Sequence, residues 1–191
     1  MNKLVLIAIL TLAALALGAE DVTTETPSRL GPAVGVISTP LSAGYRLSMG
    51  GHYSFDIFAH VPEYVETDDG AAGFKFGALA GYNIPLRLEE NLAFVIRPQL
   101  DVEFYSADIE GDTVEYDHTE FSVRPGAFLG VEVFMEEVGI ENMNLAVGFT
   151  TGMDISSINT ETPAGEDSRV TYHFPVTGAP FGATVGIWWY F

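Results

Sequence analysis

Apolar and polar residues alternate along most of the chain, so that every second position belongs to the same face. The alternation is clearest at 92–106, where Phe94, Ile96 and Leu100 lie on one face and Arg97 falls on the other. A period of two is typical of β-strands, whereas an amphipathic helix repeats every 3.6 residues. The alternating segments lie at about 32–38, 43–49, 52–61, 73–82, 92–106, 119–135, 143–155 and 169–191. The pattern therefore predicts an all-β protein with eight strands.

The connections between these segments fall into two sets. Aspartate and glutamate crowd into three long connections, together with glycine, proline, threonine and asparagine, which are typical of loops. These acidic connections lie at 63–69, 108–117 and 161–167, and the shorter connections lie at 39–42, 49–52, 83–91 and 136–142. With antiparallel neighbours, the three acidic connections and 39–42 share one end of the sheet, as in an up-and-down barrel.

The first residues are typical of a secretory signal peptide. Lys3 precedes an apolar run at 4–17, and the small residues at 16–19 form a cleavage site. This run is shorter than the ~20 residues of a transmembrane helix, and no later run approaches that length. We therefore expect a signal peptide at 1–19, a flexible leader at 20–30 and one barrel at 31–191, with any membrane span built from strands.

The final segment, 181–191, is rich in aromatic residues, and Val185, Ile187, Trp189 and Phe191 form its apolar face. On a soluble protein such a strand would be an aggregation edge, whereas in a bilayer its aromatics suit the membrane–water interface. This signature resembles the C-terminal strand of bacterial outer-membrane β-barrels. Over about residues 31–191 the chain is similar to the small OmpA-, OmpX- and OmpW-like barrels of the porin family.

The resemblance implies an eight-stranded antiparallel up-and-down transmembrane β-barrel in the outer membrane of a Gram-negative bacterium. Its surroundings would be outer-membrane lipid and lipopolysaccharide. The resemblance also implies that the barrel-assembly machinery is a partner during biogenesis and that the C-terminal signature is what this machinery reads. A monomer is the favoured oligomeric state.

If the apolar faces meet lipid, the charged residues of the strands point into the barrel. The opposite register would place four cations on the lipid face, at about 2–4 kcal/mol each near the midplane. The inward set comprises Arg46, Lys75, Arg97 and Arg124 with Asp56, Asp101, Glu103, Glu132 and Asp154. We predict an ion-pair network that plugs the lumen, because an eight-stranded barrel is just wide enough for side chains to fill. A gated ion pathway along the same charges is the alternative.

The composition of the chain excludes several kinds of binding partner and catalytic site. With 26 acidic and 8 basic residues, the chain is a poor partner for nucleic acid, because phosphate binding needs a basic surface. The absence of cysteine excludes disulfides, thiolate metal sites and thiol catalysis. The acidic stretch 108–117 is rich in oxygen ligands that suit calcium or magnesium, but it does not match the twelve-residue calcium loop. We expect neither a dedicated metal site nor a cofactor.

Four histidines are candidates for catalysis: His52 in a predicted turn, and His60, His118 and His173 near the acidic loops. Ser106, Ser168 and several acids lie in or beside the same loops, but no spacing selects a nucleophile, a base and an orienting acid.

We therefore expect a structural, adhesive or ligand-binding protein rather than an enzyme. The alternatives are a narrow porin-like channel for small solutes, a lipid-modifying enzyme of the outer membrane, and a soluble lipocalin-like carrier with an apolar cavity.

Overall fold

The computed structural model describes residues 32–38, 40–49, 53–66, 72–88, 91–110, 115–162, 164–173 and 182–191. Eleven strands lie in this part of the chain: β1 (Ala33–Ser38), β2 (Leu41–Ser48), β3 (Ser54–His60), β4 (Glu63–Glu66), β5 (Ala72–Leu88), β6 (Leu92–Glu110), β7 (Glu115–Phe134), β8 (Met143–Gly152), β9 (Asp154–Thr162), β10 (Gly165–His173) and β11 (Gly182–Tyr190). A 3-10 helix, Met135–Val138, connects β7 to β8. Across the residues described, no helix has the length and apolar character to cross a membrane.

Eight of the strands form a closed antiparallel barrel, in the order β1, β2, β3, β5, β6, β7, β8 and β11. The barrel closes where β1 pairs with β11, with Ala33 opposite Tyr190. The prediction of an eight-stranded antiparallel β-barrel is confirmed. We call the end that carries Pro32 and Phe191 the terminal end, and the opposite end the loop end.

The other three strands extend the wall beyond the loop end. β9 continues β8 after a single break at Met153, whose N–H donates to the Pro125 carbonyl at 3.0 Å. β7 therefore pairs first with β8 and then with β9. β10 pairs with β9, and β4 pairs with β5. The wall is taller on this side of the barrel than at β1 and β2.

Several predicted boundaries were wrong. β5 continues to Leu88, so most of the predicted connection 83–91 is strand. The acidic stretches 63–69, 108–117 and 161–167 are largely strand as well, because the hairpin ladders run on past the barrel and their bonds come from the backbone. The last predicted segment, 169–191, is too long for one membrane crossing, and it contains two strands, the end of β10 and the whole of β11. The predicted signal peptide, leader and Gly50–Gly51 turn lie outside the described residues.

The outer face of the barrel is apolar. Along β6, the residues that alternate outward from Leu92 to Phe104 are all uncharged. Ile57 on β3 and Phe76 on β5 are 46% exposed there. The residues of the predicted C-terminal signature also face outward and are exposed: Val185, Ile187, Trp189 and Phe191. Because the polar side chains of these strands lie inside, the barrel has the reverse polarity of a water-soluble one.

Glycines on the inner face make room for large side chains. A Cβ at Gly35 on β1 would lie 2.4 Å from the ring of Trp188 on β11. A Cβ at Gly44 on β2 would lie 2.4 Å from the ring of Phe58 on β3. Each ring therefore lies close against a glycine of a neighbouring strand, in the space that a Cβ would occupy.

Candidate functional site: the charged lumen

Four charged side chains form a cluster inside the barrel near its terminal end. This terminal cluster consists of Arg46 on β2, Asp56 on β3, Arg97 on β6 and Glu132 on β7, each no more than 4% exposed. Arg46 donates to both oxygens of Asp56, at 2.7 and 2.9 Å, and to both oxygens of Glu132, at 2.9 and 2.7 Å. Arg97 Nη1 lies 3.1 Å from Asp56 Oδ2. Two cations face two carboxylates, so the terminal cluster is neutral.

The contact between Arg46 and Glu132 crosses the lumen. β2 and β7 are the second and sixth of the eight barrel strands, so they stand on opposite walls. Tyr190 on β11 adds a third wall, because its hydroxyl accepts from Arg46 Nη1 at 2.7 Å and from Asn144 Nδ2 at 3.0 Å. One guanidinium bonded to three walls at the same level closes the lumen there.

An aromatic layer covers the terminal cluster on the side of the loop end. It consists of Phe58, Phe128 and Trp188, each no more than 2% exposed. The guanidinium carbon of Arg46 lies 4.1 Å from the centre of the Trp188 ring, and that of Arg97 lies 4.8 Å from the centre of Phe128. The buried cations are therefore stabilised by ring faces as well as by carboxylates.

A second group of charges, the loop cluster, lies closer to the loop end and consists of Lys75, Asp101, Glu103, Arg124 and Asp154. Arg124 is at its centre, 2.7 Å from Glu103 Oε1, 3.3 Å from Asp154 Oδ2 and 3.8 Å from Asp101 Oδ2. Lys75 Nζ lies 3.1 Å from Glu103 Oε2. Two cations face three carboxylates, so the loop cluster carries a net negative charge.

The two clusters differ in their access to water. The side chains of Lys75, Arg124 and Asp154 are between 30 and 34% exposed, whereas those of Arg46 and Asp56 are fully buried. The lumen is therefore open to solvent from the loop end down to the loop cluster. It is closed at the aromatic layer and the terminal cluster.

The contacts of the nine charged residues of the predicted inward set fall into two clusters, four residues in the terminal cluster inside the barrel and five in the loop cluster, where Asp154 lies on β9. Odd or even position along a strand predicts which face a residue lies on, but not which residue it meets across the lumen. The contacts of Arg46 with Glu132 and Tyr190 could therefore not be predicted from the sequence. His60 ends β3 at the loop end, near the acidic hairpins, but its side chain is buried, with only 6% exposed.

His60 lies between Asp101 and Ser42 without forming a catalytic triad. Its Nε2 atom is 3.2 Å from Asp101 Oδ1, but the two atoms are not aligned for a hydrogen bond. Ser42 is its partner across the β2–β3 ladder. The Ser42 hydroxyl, however, donates to the Pro40 carbonyl at 2.8 Å and is fully buried. The bond between nucleophile and base that a triad needs is not made.

The other candidates for chemistry do not converge. His118 is paired with the inward Ala107, so it faces away from Ser106, the next residue along β6. Its Nδ1 atom lies 3.4 Å from the hydroxyl of Thr160. His52 lies outside the described residues, and His173 at the end of β10 is exposed. Within the described ranges, no three His, Asp or Glu side chains are placed to hold a metal ion.

No protein-family model, curated protein or solved structure matches this chain.

Proposed function

We propose that this protein is an integral outer-membrane β-barrel with a closed lumen and a structural, adhesive or ligand-binding role. The observation that carries the proposal is the reversed polarity of the barrel. Val34 and Val36 on β1, and Ile187 on β11, are each 49% exposed, while Arg46 and Asp56 are fully buried. Water would favour the opposite arrangement, whereas lipid favours this one.

The height of the apolar surface supports a membrane span. From Leu92 to Phe104, β6 advances about 40 Å along its own length, at ~3.3 Å per residue. A strand tilt of about 40° reduces this to about 30 Å along the barrel axis, against an apolar band of about 25 Å in outer-membrane barrels. Aromatic residues stand near both limits of the band. Tyr82 stacks with Tyr53 near the terminal end, and Phe76 packs against Phe104 near the loop end.

The closed lumen supports a role other than free diffusion through the barrel. Arg46 forms hydrogen bonds to residues on β3, β7 and β11, and the aromatic layer covers it on the side of the loop end. In that case, the strands that extend past the loop end would bind any ligand or partner at the surface. In this proposal the surrounding partners are lipid and lipopolysaccharide, and the barrel-assembly machinery acts during biogenesis.

A narrow channel is the second candidate, because solvent already reaches the loop cluster from one end. Only the aromatic layer and the terminal cluster would have to rearrange for a path to open. A lipid-modifying enzyme is a further class, and single substitutions of His60, His118 and His173 would test it. An unchanged lipid A mass profile in all three variants would eliminate that class.

The deciding experiment uses protein without residues 1–19, refolded in detergent. We expect a heat-dependent shift in gel mobility and no reproducible single-channel current in a planar bilayer. A steady current that changes in Arg97→Gln or Asp101→Asn would favour the channel instead. No mobility shift, combined with solubility in plain buffer, would reject the membrane proposal as a whole.

A further inference from the structure

A cavity opens in the barrel wall near the loop end, where β3 gives way to β4. Ala59 pairs with Ala78, and the next recorded pair joins Glu63 to Lys75, so three residues on one strand oppose two on β5. Such a β-bulge bends the strand and interrupts the ladder. The pairing of β2 with β3 also ends here, at the bond from the Val61 N–H to the Leu41 carbonyl. The resulting wall cavity has a volume of about 460 Å³.

The lining of the wall cavity is amphipathic. Leu41, Tyr64 and Phe76 contribute the apolar part, and all three are exposed on the outside of the barrel. Lys75 and Glu103 belong to the loop cluster and contribute charge from the inside. The volume lies within the range of about 300–1,000 Å³ of small-molecule sites. The cavity thus suits a ligand with one polar and one apolar end.

Charge favours a cationic head group. The loop cluster has one carboxylate more than it has cations, and Glu63 adds another carboxylate to the lining. An anionic head group would have to displace Glu103 from Lys75 and Arg124. Both oxygens of Glu103 already face these two cations, so an added cation would instead approach Asp101, which faces His60, and neutralise the excess.

The buried side chain of His60 faces Asp101 without an aligned hydrogen bond. His60 lines the wall cavity, and its side chain is only 4% exposed. Neither His60 Nε2 nor the facing Asp101 Oδ1 has a hydrogen-bond partner in the described part of the chain. Buried polar atoms without partners are rare in folded proteins and point to an absent water or ligand. A group with several N–H donors could satisfy both.

We propose that the wall cavity binds an amphiphile with a primary ammonium head group. The head would lie against His60 and the facing Asp101, and the alkyl chain would follow Leu41 and Phe76 along the outer face. This inference rests on the proposed membrane placement, because the alkyl chain needs an apolar environment beyond the cavity.

The test is a titration of the refolded protein in a nonionic detergent with dodecylammonium, followed by NMR shifts and by contacts between the alkyl chain and Phe76. We expect saturable binding. Dodecyltrimethylammonium has the same charge and chain but no N–H donor, and we expect it to bind about tenfold more weakly, the loss of one charge-assisted hydrogen bond. Dodecanoate should show only unsaturable partition into micelles.

Two variants complete the test. His60→Phe keeps a ring against Gly77 but removes both nitrogens, so binding should weaken about tenfold. His118→Phe is the matched control outside the wall cavity and should bind like the unaltered protein. Equal binding of the two ammonium compounds, undiminished binding by His60→Phe, or unsaturable partition alone would overturn the inference. A heat-shift assay on each sample tests the membrane proposal separately and confirms that each variant is folded.

Discussion

Replacing Glu132 by leucine tests whether charge balance holds the closed lumen together. Leucine has nearly the same size as glutamate but removes two of the acceptor atoms of Arg46 and one negative charge. The terminal cluster would then change from neutral to one net positive charge around a fully buried guanidinium. Breaking a buried pair in this way costs about 3–5 kcal/mol, because the remaining charge has no compensation. We expect the free energy of unfolding to fall by that amount.

Two further variants identify the cause. Glu120 is half-buried and accepts one bond, from Ser122 at 3.2 Å, so Glu120→Leu should cost less than about 1 kcal/mol. The double variant Arg46→Met with Glu132→Leu leaves the Arg97–Asp56 pair neutral, and it should recover most of the lost stability.

The assay is equilibrium unfolding in guanidinium from lipid micelles, followed by tryptophan emission. A loss below 1 kcal/mol for the single variant would refute the reasoning, and so would a double variant that is no more stable than the single one. In either case the volume of the Glu132 side chain, or some other packing effect, would matter more than its charge.

Three more outcomes follow from the fold. Gly35→Ala should destabilise the barrel by about 1–3 kcal/mol, because a Cβ there meets a tryptophan ring at 2.4 Å; Gly186→Ala, with its nearest contact at 3.2 Å, should cost less in the same unfolding assay. Ile57→Arg places a charge on the outer face and should destabilise the protein folded into vesicles by about 2–4 kcal/mol, the cost of an arginine at the bilayer midplane. Tyr64→Arg, beyond the barrel, should be nearly neutral. Equal effects of the two variants would contradict the membrane proposal. Amide hydrogen exchange should be faster in β10, which in the described structure pairs on one side only, than in β6; slower exchange in β10 would indicate that its free edge is covered.

The period of two predicts most strands and their faces, whereas the closed eight-stranded barrel was expected from the resemblance of the last strand to those of outer-membrane barrels. It places Arg46 and Glu132 inside, since each lies on the polar face of its strand. It does not pair them, because residues 86 positions apart meet only through the combined register of every strand between them.

Local composition misleads in two places. The acidic hairpins look like loops because their residues are polar, yet backbone ladders extend through them regardless of side chain. The burial of His60 and the wall cavity beside it depend on a β-bulge between β3 and β5. The sequence around Val61–Pro62 shows that the strand is interrupted, but not which neighbouring strand it leaves.

The contact between Arg46 and Glu132 across the lumen also limits the order in which the strands of the barrel can assemble. Arg46 enters on the second barrel strand, and its neutral surroundings are complete only after Asp56, Arg97 and Glu132 have arrived on the third, fifth and sixth. With the proposed membrane placement, a hairpin-by-hairpin insertion would expose an incompletely compensated arginine to hydrocarbon. The least costly route would then keep the early strands in a wet environment until β7 is in place, so assembly should commit late and as a unit.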